Sequence, residues 1–210
     1  MRRVRRWVED HPEWWTVLAA AAGWAALALI PHAHAHAQAA HEHAGHAHMQ
    51  HDGAAAGGGA GMYALRAGVM TIAMMLPLAL TNVRHAASSR SGLRRHVAIA
   101  GFVAGFLVVW TPVQMGIDAA AVALGSRAGW IAVLAIAVAA AVWELAPGRR
   151  ERLLRCHATT PLAATGWRAD ADCLRYGVVT GRHCVASCWA LMALCAAAAH
   201  ALPVMAAVFA

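Results

Sequence analysis

Cys184 and Cys188 stand four residues apart in an apolar stretch, and Cys195 follows seven later. At 3.6 residues per turn Cys188 lies about 40° and Cys195 about 20° from Cys184 around a helix axis, with Cys173 about 20° to the other side. The four thiols therefore form one stripe. Cβ atoms four apart on a helix are about 5 to 6 Å apart, whereas a disulfide wants roughly 3.5 to 4.5 Å. Cys184 and Cys188 should stay unpaired and free to ligate. With Arg175 at the inner interface, a rise of about 1.5 Å per residue places Cys184 some 13 Å deep and Cys188 about 6 Å beyond. A thiolate at that depth is costly unless a cation compensates it, and a soft ion such as Cu(I) prefers sulfur. The bland alternative is that cysteine packs as a small hydrophobe. His183 adjoins the pair, and Met192 lies one turn beyond Cys188.

Other soft or borderline donors recur along the chain. Met70 and Met74 put two thioethers on one helical face, although methionine in an apolar helix also serves as plain packing. His32, His34, His36, His41, His43, His46, His48 and His51 crowd a segment otherwise built of Ala and Gly. Neutral imidazole binds zinc, copper and nickel, so these residues suit metal capture; compositional drift in an Ala-rich chain is the alternative. No Gly-rich phosphate loop, nucleophile elbow or HExxH pattern is present. The spans hold no carboxylate pair for acid-base work, so the expectation is a protein that is not an enzyme.

The elements that must carry these donors are membrane helices. Of 210 residues 60% are apolar, and they fall in long runs rather than alternating. About 20 apolar residues cross the hydrocarbon, and five stretches suggest spans: residues 14–30, 62–80, 97–123, 130–146 and 175–198. Basic clusters at Arg2 to Arg6, Arg84 to Arg95 and Arg149 to Arg155 all fall on one side of that arrangement. The charge rule then places them, and the amino-terminal residues 1–13, in the cytoplasm. The net charge of +7 is thus a topology signal, and nucleic acid is not expected as a partner. The fold class read from this pattern is all-α: a polytopic transmembrane helix bundle in a bacterial inner membrane, comprising residues 62–210 and a first helix.

That first helix, 14–30, is read as an uncleaved span; Ala37-Gln38-Ala39 resembles a cleavage site and makes a removable signal peptide the rival reading. Residues 31–61 are too polar and Gly-rich to bury a core and are expected as a disordered, extracytoplasmic His-rich loop. Arg66 should snorkel to water, Pro112 should kink the third span, and Asp118 lies near its outer end. Residues 81–96 and 156–172 read as cytoplasmic connectors, and 203–210 is too short for a sixth span.

Ala73-Met74-Met75-Leu76-Pro77 and the segment CVASCWALM from Cys184 to Met192 resemble the signature segments of a bacterial domain-of-unknown-function family of predicted metal-binding integral membrane proteins. Trp24 and Pro161-Leu162 also fit, so the resemblance covers most of the chain outside the His-rich segment. It implies a polytopic metal-binding protein, with Cys184 and Cys188 at positions of the family's cysteine cluster. Two departures stand out: Ser187 occupies a position where another cysteine is expected, and the second connector offers Cys156-His157 in place of a cysteine pair.

The reading is a membrane protein handling a soft metal, copper first and zinc or nickel as alternatives, by capture, delivery or transport. Its expected partners are the lipid bilayer, the metal ion, and other membrane subunits or metal chaperones. The rival is an accessory subunit of a larger complex, its thiols inert, in which Gly101 and Gly105 let helices pack closely. A thiol oxidoreductase is disfavoured by the helical spacing of Cys184 and Cys188.

Overall fold

A computed structural model describes the backbone of residues 11–42, 56–128, 130–163 and 165–209, and the side chains of these apart from 30–42, 56–60 and 125–128. Among the described residues there are eight helices and no strand: α1 Trp14–Glu42, α2 Ala56–Met74, α3 Leu80–Ser88, α4 Arg94–Ala128, α5 Trp130–Leu145, α6 Arg149–Cys156, α7 Gly166–Ala197 and α8 Leu202–Phe209.

The pairing of α4 with α7 organises the bundle, and glycine makes it close. Gly101 and Gly105 on α4 face Cys173, Leu174 and Val178 of α7, and Gly177 and Gly181 on α7 face Phe102, Phe106 and Val109 of α4, so each helix carries two small residues four apart on its contact face. A methyl group added at Gly177 would stand 2.9 Å from the Phe102 carbonyl carbon and 3.0 Å from the Phe106 nitrogen, and one at Gly105 would stand 3.0 Å from the Val178 nitrogen. Small residues at this spacing let two backbones touch where larger ones hold them apart. Phe102, Phe106 and Trp110 of α4 are fully buried beside the seam, and Phe102 packs on Tyr176 of α7 at 5.2 Å between ring centres.

By length and composition α4, over Arg94–Leu124, and α7 are long and apolar enough to cross a membrane, and α5 with α6 makes a third span only if the two are taken as one element bent by 83°. The apolar part of α1, Trp14–Leu29, is shorter. Two or three spans are therefore supported by the helices, against the five expected. The bend between α5 and α6 falls at Pro147-Gly148, where Gly148 has φ of 85°, a conformation glycine adopts without a Cβ penalty.

Three segments differ from the sequence expectation. The backbone of α1 runs through Pro31 to Glu42, and α2 begins at Ala56, so helix enters both ends of the segment expected as a loop; alternating His-Ala is rich in the best helix former. Residues 43–55, with four of the histidines, lie outside the described residues. The expected second span is broken: α2 stops at Met74 and α3 starts at Leu80, because Pro77 can neither donate to the helical ladder nor fit within it. Helix also occupies parts of both connectors, as α3 and as the first turns of α7.

Polar contacts tie the ends of the bundle. Where α7 gives way to α8, Ala199 and His200 take φ of 50° and 57° and the His200 amide caps the Cys195 carbonyl at 2.8 Å. This turn sets the His200 ring between Arg66 of α2, 3.4 Å from Nδ1, and Asp118 of α4, 3.3 Å from Nε2. Gln114 donates to the same Asp118 oxygen at 2.8 Å. Arg66 thus has a protein partner in His200. Ahead of α1, Glu13 accepts from Arg84 of α3 at 2.8 Å. Burial alone would raise the Glu13 carboxyl, but its backbone hydrogen bond and the Arg84 guanidinium outweigh that and hold it below its ordinary value.

Candidate metal centre

Cys184 lies on the face of α7 turned into the bundle and is 1% exposed. Its Sγ is 4.0 Å from the Met75 Sδ. The Cys156 and Cys188 thiols interact with it electrostatically, and the Ser187 hydroxyl is 3.3 Å from the Cys188 sulfur. All five cysteines are free thiols. Taking a metal–sulfur bond of about 2.3 Å as the scale, two sulfurs on a trigonal ion are about 4.0 Å apart. Cys184 and Met75 already have that separation. Among the described residues no three His, Cys, Asp or Glu side chains converge as a ready-made metal site, so the thiols are neighbours that would still have to close on an ion.

Each sulfur is delivered by a different feature of the fold. Cys184 and Cys188 come together from helical spacing alone. Met75 sits in the turn that Pro77 forces between α2 and α3, its amide still bonded to the Thr71 carbonyl at 2.8 Å. Cys156 is the last residue of α6. Its carbonyl accepts from the Asn82 side-chain amide at 2.9 Å, and the same nitrogen is 3.4 Å from the Thr180 hydroxyl, one turn before Cys184. The chain just after Cys156 is tied down as well, by His85 to the Thr160 carbonyl at 2.8 Å and by Tyr176 to the Ala158 carbonyl at 3.5 Å.

Cys188 is only half-buried, which makes it the outward-facing member of the cluster. Next to it, Trp189 packs edge-on against Trp143 of α5 at 5.3 Å, and Arg152 of α6 caps the other ring at 4.5 Å. This stack holds α5, α6 and α7 together beside the thiols.

The remaining predicted residues divide into three groups. Met70, Met74, Met192 and Cys195 are buried in the same core as Cys184 and Met75, but Cys195 is eleven residues along α7, about 16 Å from Cys184, and cannot share an ion with it. Cys173 is as far in the other direction and packs against Gly101; the predicted stripe exists but runs past more than one neighbourhood. His183 is half-buried, turned about 100° around the axis from Cys184. Of the histidine-rich segment, His32, His34, His36 and His41 belong to α1 by backbone, with side chains not described, and His43, His46, His48 and His51 lie outside the described residues.

Periodicity could not have revealed Met75, Cys156, Ser187 and Asn82 as members of this neighbourhood, since it reports one helix at a time. A hint was present for Ser187, which stands where the resemblance leads one to expect cysteine and whose hydroxyl the fold places 3.3 Å from the Cys188 sulfur.

The family model for PpoB2, described as a copper chaperone, matches residues 65–210. The chain belongs to that copper chaperone family. The matched region takes in most of α2 and everything after it, and so includes Met75, Cys156, Cys184 and Cys188, while the histidine-rich segment falls outside it. A metal-handling family is what the sequence resemblance implied. No curated protein and no solved structure matches the chain.

Proposed function

We propose that this member of the copper chaperone family is an integral membrane protein that holds Cu(I) between the Cys184 and Cys188 thiols with the Met75 thioether, and passes it on by ligand exchange. The observation that carries the reading is the Cys184 thiol, which has thiol neighbours and a thioether at 4.0 Å, in a chain that matches copper chaperones. Thiolate and thioether sulfur select Cu(I) over harder ions. The bound cation also offsets the cost of ionised sulfur in a low-dielectric interior. Binding to two thiols releases up to two protons, so affinity should rise with pH.

The histidines from His32 to His51 would collect copper, zinc or nickel outside the cytoplasm, and Met70, Met74, Met192 and Cys195 would offer soft donors along the interior. His183 is a further candidate from the rim. The chain would cross the membrane five times with its amino terminus inside, because that arrangement puts all three basic clusters on one face. It has no enzymatic role in this reading. Its partners are the bilayer, the metal ion, and the membrane subunit or metal chaperone that receives it.

The test is elemental analysis and Cu(I) competition titration of detergent-purified protein. Wild type should retain copper, Cys184→Ala/Cys188→Ala should lose the tight site, and a variant lacking residues 32–51 should lose only the weaker, less selective sites. Equal copper retention by wild type and the double cysteine variant would reject the reading.

A further inference from the structure

Cys156 differs from the other thiols of the cluster in how it is held. Cys184 and Cys188 share one rigid helix, so their spacing cannot change without unwinding it. Cys156 ends an eight-residue helix that is bent by 83° from α5 across Pro147-Gly148. Its place beside Cys184 depends on a strut. The Asn82 side chain is fully buried, and its amide nitrogen spans the Cys156 carbonyl at 2.9 Å and the Thr180 hydroxyl at 3.4 Å. Thr180 and Cys184 are four apart and lie on one face of α7. The strut therefore joins the residue that carries the third thiol to the turn directly beneath Cys184. The other end of the amide, Oδ1, is buried with no hydrogen-bond partner. An unsatisfied buried polar atom is unfavourable, so packing alone does not account for an asparagine here, whereas a fixed anchor for Cys156 does.

We infer that Cys156 is the third thiol ligand of the copper site, beside the Met75 thioether, and the one that exchanges, and that Asn82 is the residue that positions it. The inference rests on the Cu(I) reading above. In the transfer step the bond from copper to the Cys156 sulfur breaks and a bond to an incoming thiolate of the target forms. The proton displaced from the target thiol is taken up by Cys156, and copper stays Cu(I) throughout. With Cys156 withdrawn the ion is left on the two α7 thiols and the thioether.

The experiment compares full-length wild type, Cys156→Ala, Asn82→Ala and the double variant, each loaded with Cu(I) in detergent. Sulfur coordination is read by X-ray absorption, and copper release by stopped-flow transfer to a chromophoric Cu(I) chelator. Cys156→Ala should show one copper–sulfur contact fewer than wild type. Asn82→Ala should release copper about tenfold faster, the effect expected from losing one net buried hydrogen bond, and should add nothing once Cys156 is gone. A purely structural asparagine would instead lower retention equally in both backgrounds, and that additive result would overturn its positioning role. An unchanged sulfur count in Cys156→Ala, with copper still lost from Cys184→Ala/Cys188→Ala, would overturn the assignment of Cys156 as a ligand alone. Copper retained by the latter variant would sink the underlying reading. Should Asn82→Ala lose helicity, Thr180→Val removes one of the two anchor points; release about threefold faster supports the strut, and wild-type release overturns it.

Discussion

Replacing Gly177 by alanine tests the seam on which the rest of the bundle depends. The new methyl carbon would stand 2.9 Å from the Phe102 carbonyl carbon and 3.0 Å from the Phe106 nitrogen, and it meets the Phe102 carbonyl oxygen more closely still. Carbon–carbon contact begins at roughly 3.5 Å, so α4 and α7 must part by at least about 0.6 Å, a gap that already forfeits about a quarter of each contact's dispersion energy. The obstacle is backbone on both sides, so no rotamer change can absorb it. Overpacking of this kind costs about 1 to 3 kcal/mol, and contact with backbone places this case at the upper end. Alanine returns about 1 kcal/mol through its better helix propensity, which leaves about 2 kcal/mol of destabilisation. For a chain of this size that is a fall in Tm of about 4 to 8 °C. A thiol-reactive fluorophore followed during a thermal ramp in detergent is a suitable assay, because Cys173, Cys184 and Cys195 are buried in the fold and label only when it opens. Gly68→Ala is the control: nothing lies within 4 Å of its added methyl, and it should be neutral or slightly stabilising. Equal melting of Gly177→Ala and wild type would show that the helices are not in backbone contact at this position.

Ser187→Cys adds a thiol beside Cys188 and should raise zinc affinity about tenfold or more, since four thiol donors, with Cys156, Cys184 and Cys188, suit a tetrahedral ion; a zinc competition assay checks this, and unchanged affinity would place Ser187 away from the thiols. Glu13→Gln should cost about 1 kcal/mol at neutral pH, the scale of a partly exposed ion pair. Because the Glu13 carboxyl is held below its unfolded value of 4.5, its contribution is in place above that pH and is lost as the pH falls through the depressed value; stability difference measured against pH should shrink in acid and not in base. Asp118→Asn should lower stability by about 1 to 2 kcal/mol, less than for a fully buried pair because its side chain is 23% exposed, and thermal denaturation unchanged from wild type would mean the His200 turn is held by other contacts.

Much of the helical pattern was legible from residue types. The long apolar runs correspond to α4, α5 and α7, and the small residues Gly101 and Gly105 do mark a packing face. Pro77 was visible as a breaker, yet its consequence, a turn that presents Met75 to Cys184, was not. Of the five hydropathy runs, two or three are carried by helices long and apolar enough to span, since hydropathy does not register that α5 is short and bends into α6. A metal-binding family was within reach, since the segments that carry the resemblance are local in sequence.

Residue spacing by itself determined one thing about the site: Cys184 and Cys188 must lie on one side of a helix, too far apart for a disulfide and close enough to share an ion. Tertiary structure decided which donors join them. Met75 is 109 positions from Cys184 in the chain, and Asn82 is 74 from Cys156; no periodicity links such pairs. They meet because glycines on each helix let α4 and α7 approach, because a proline turns the chain after α2, and because one buried amide holds α6 against α7. Local patterns encode the face a side chain takes on its own helix, and only the packing of whole helices sets what that face meets.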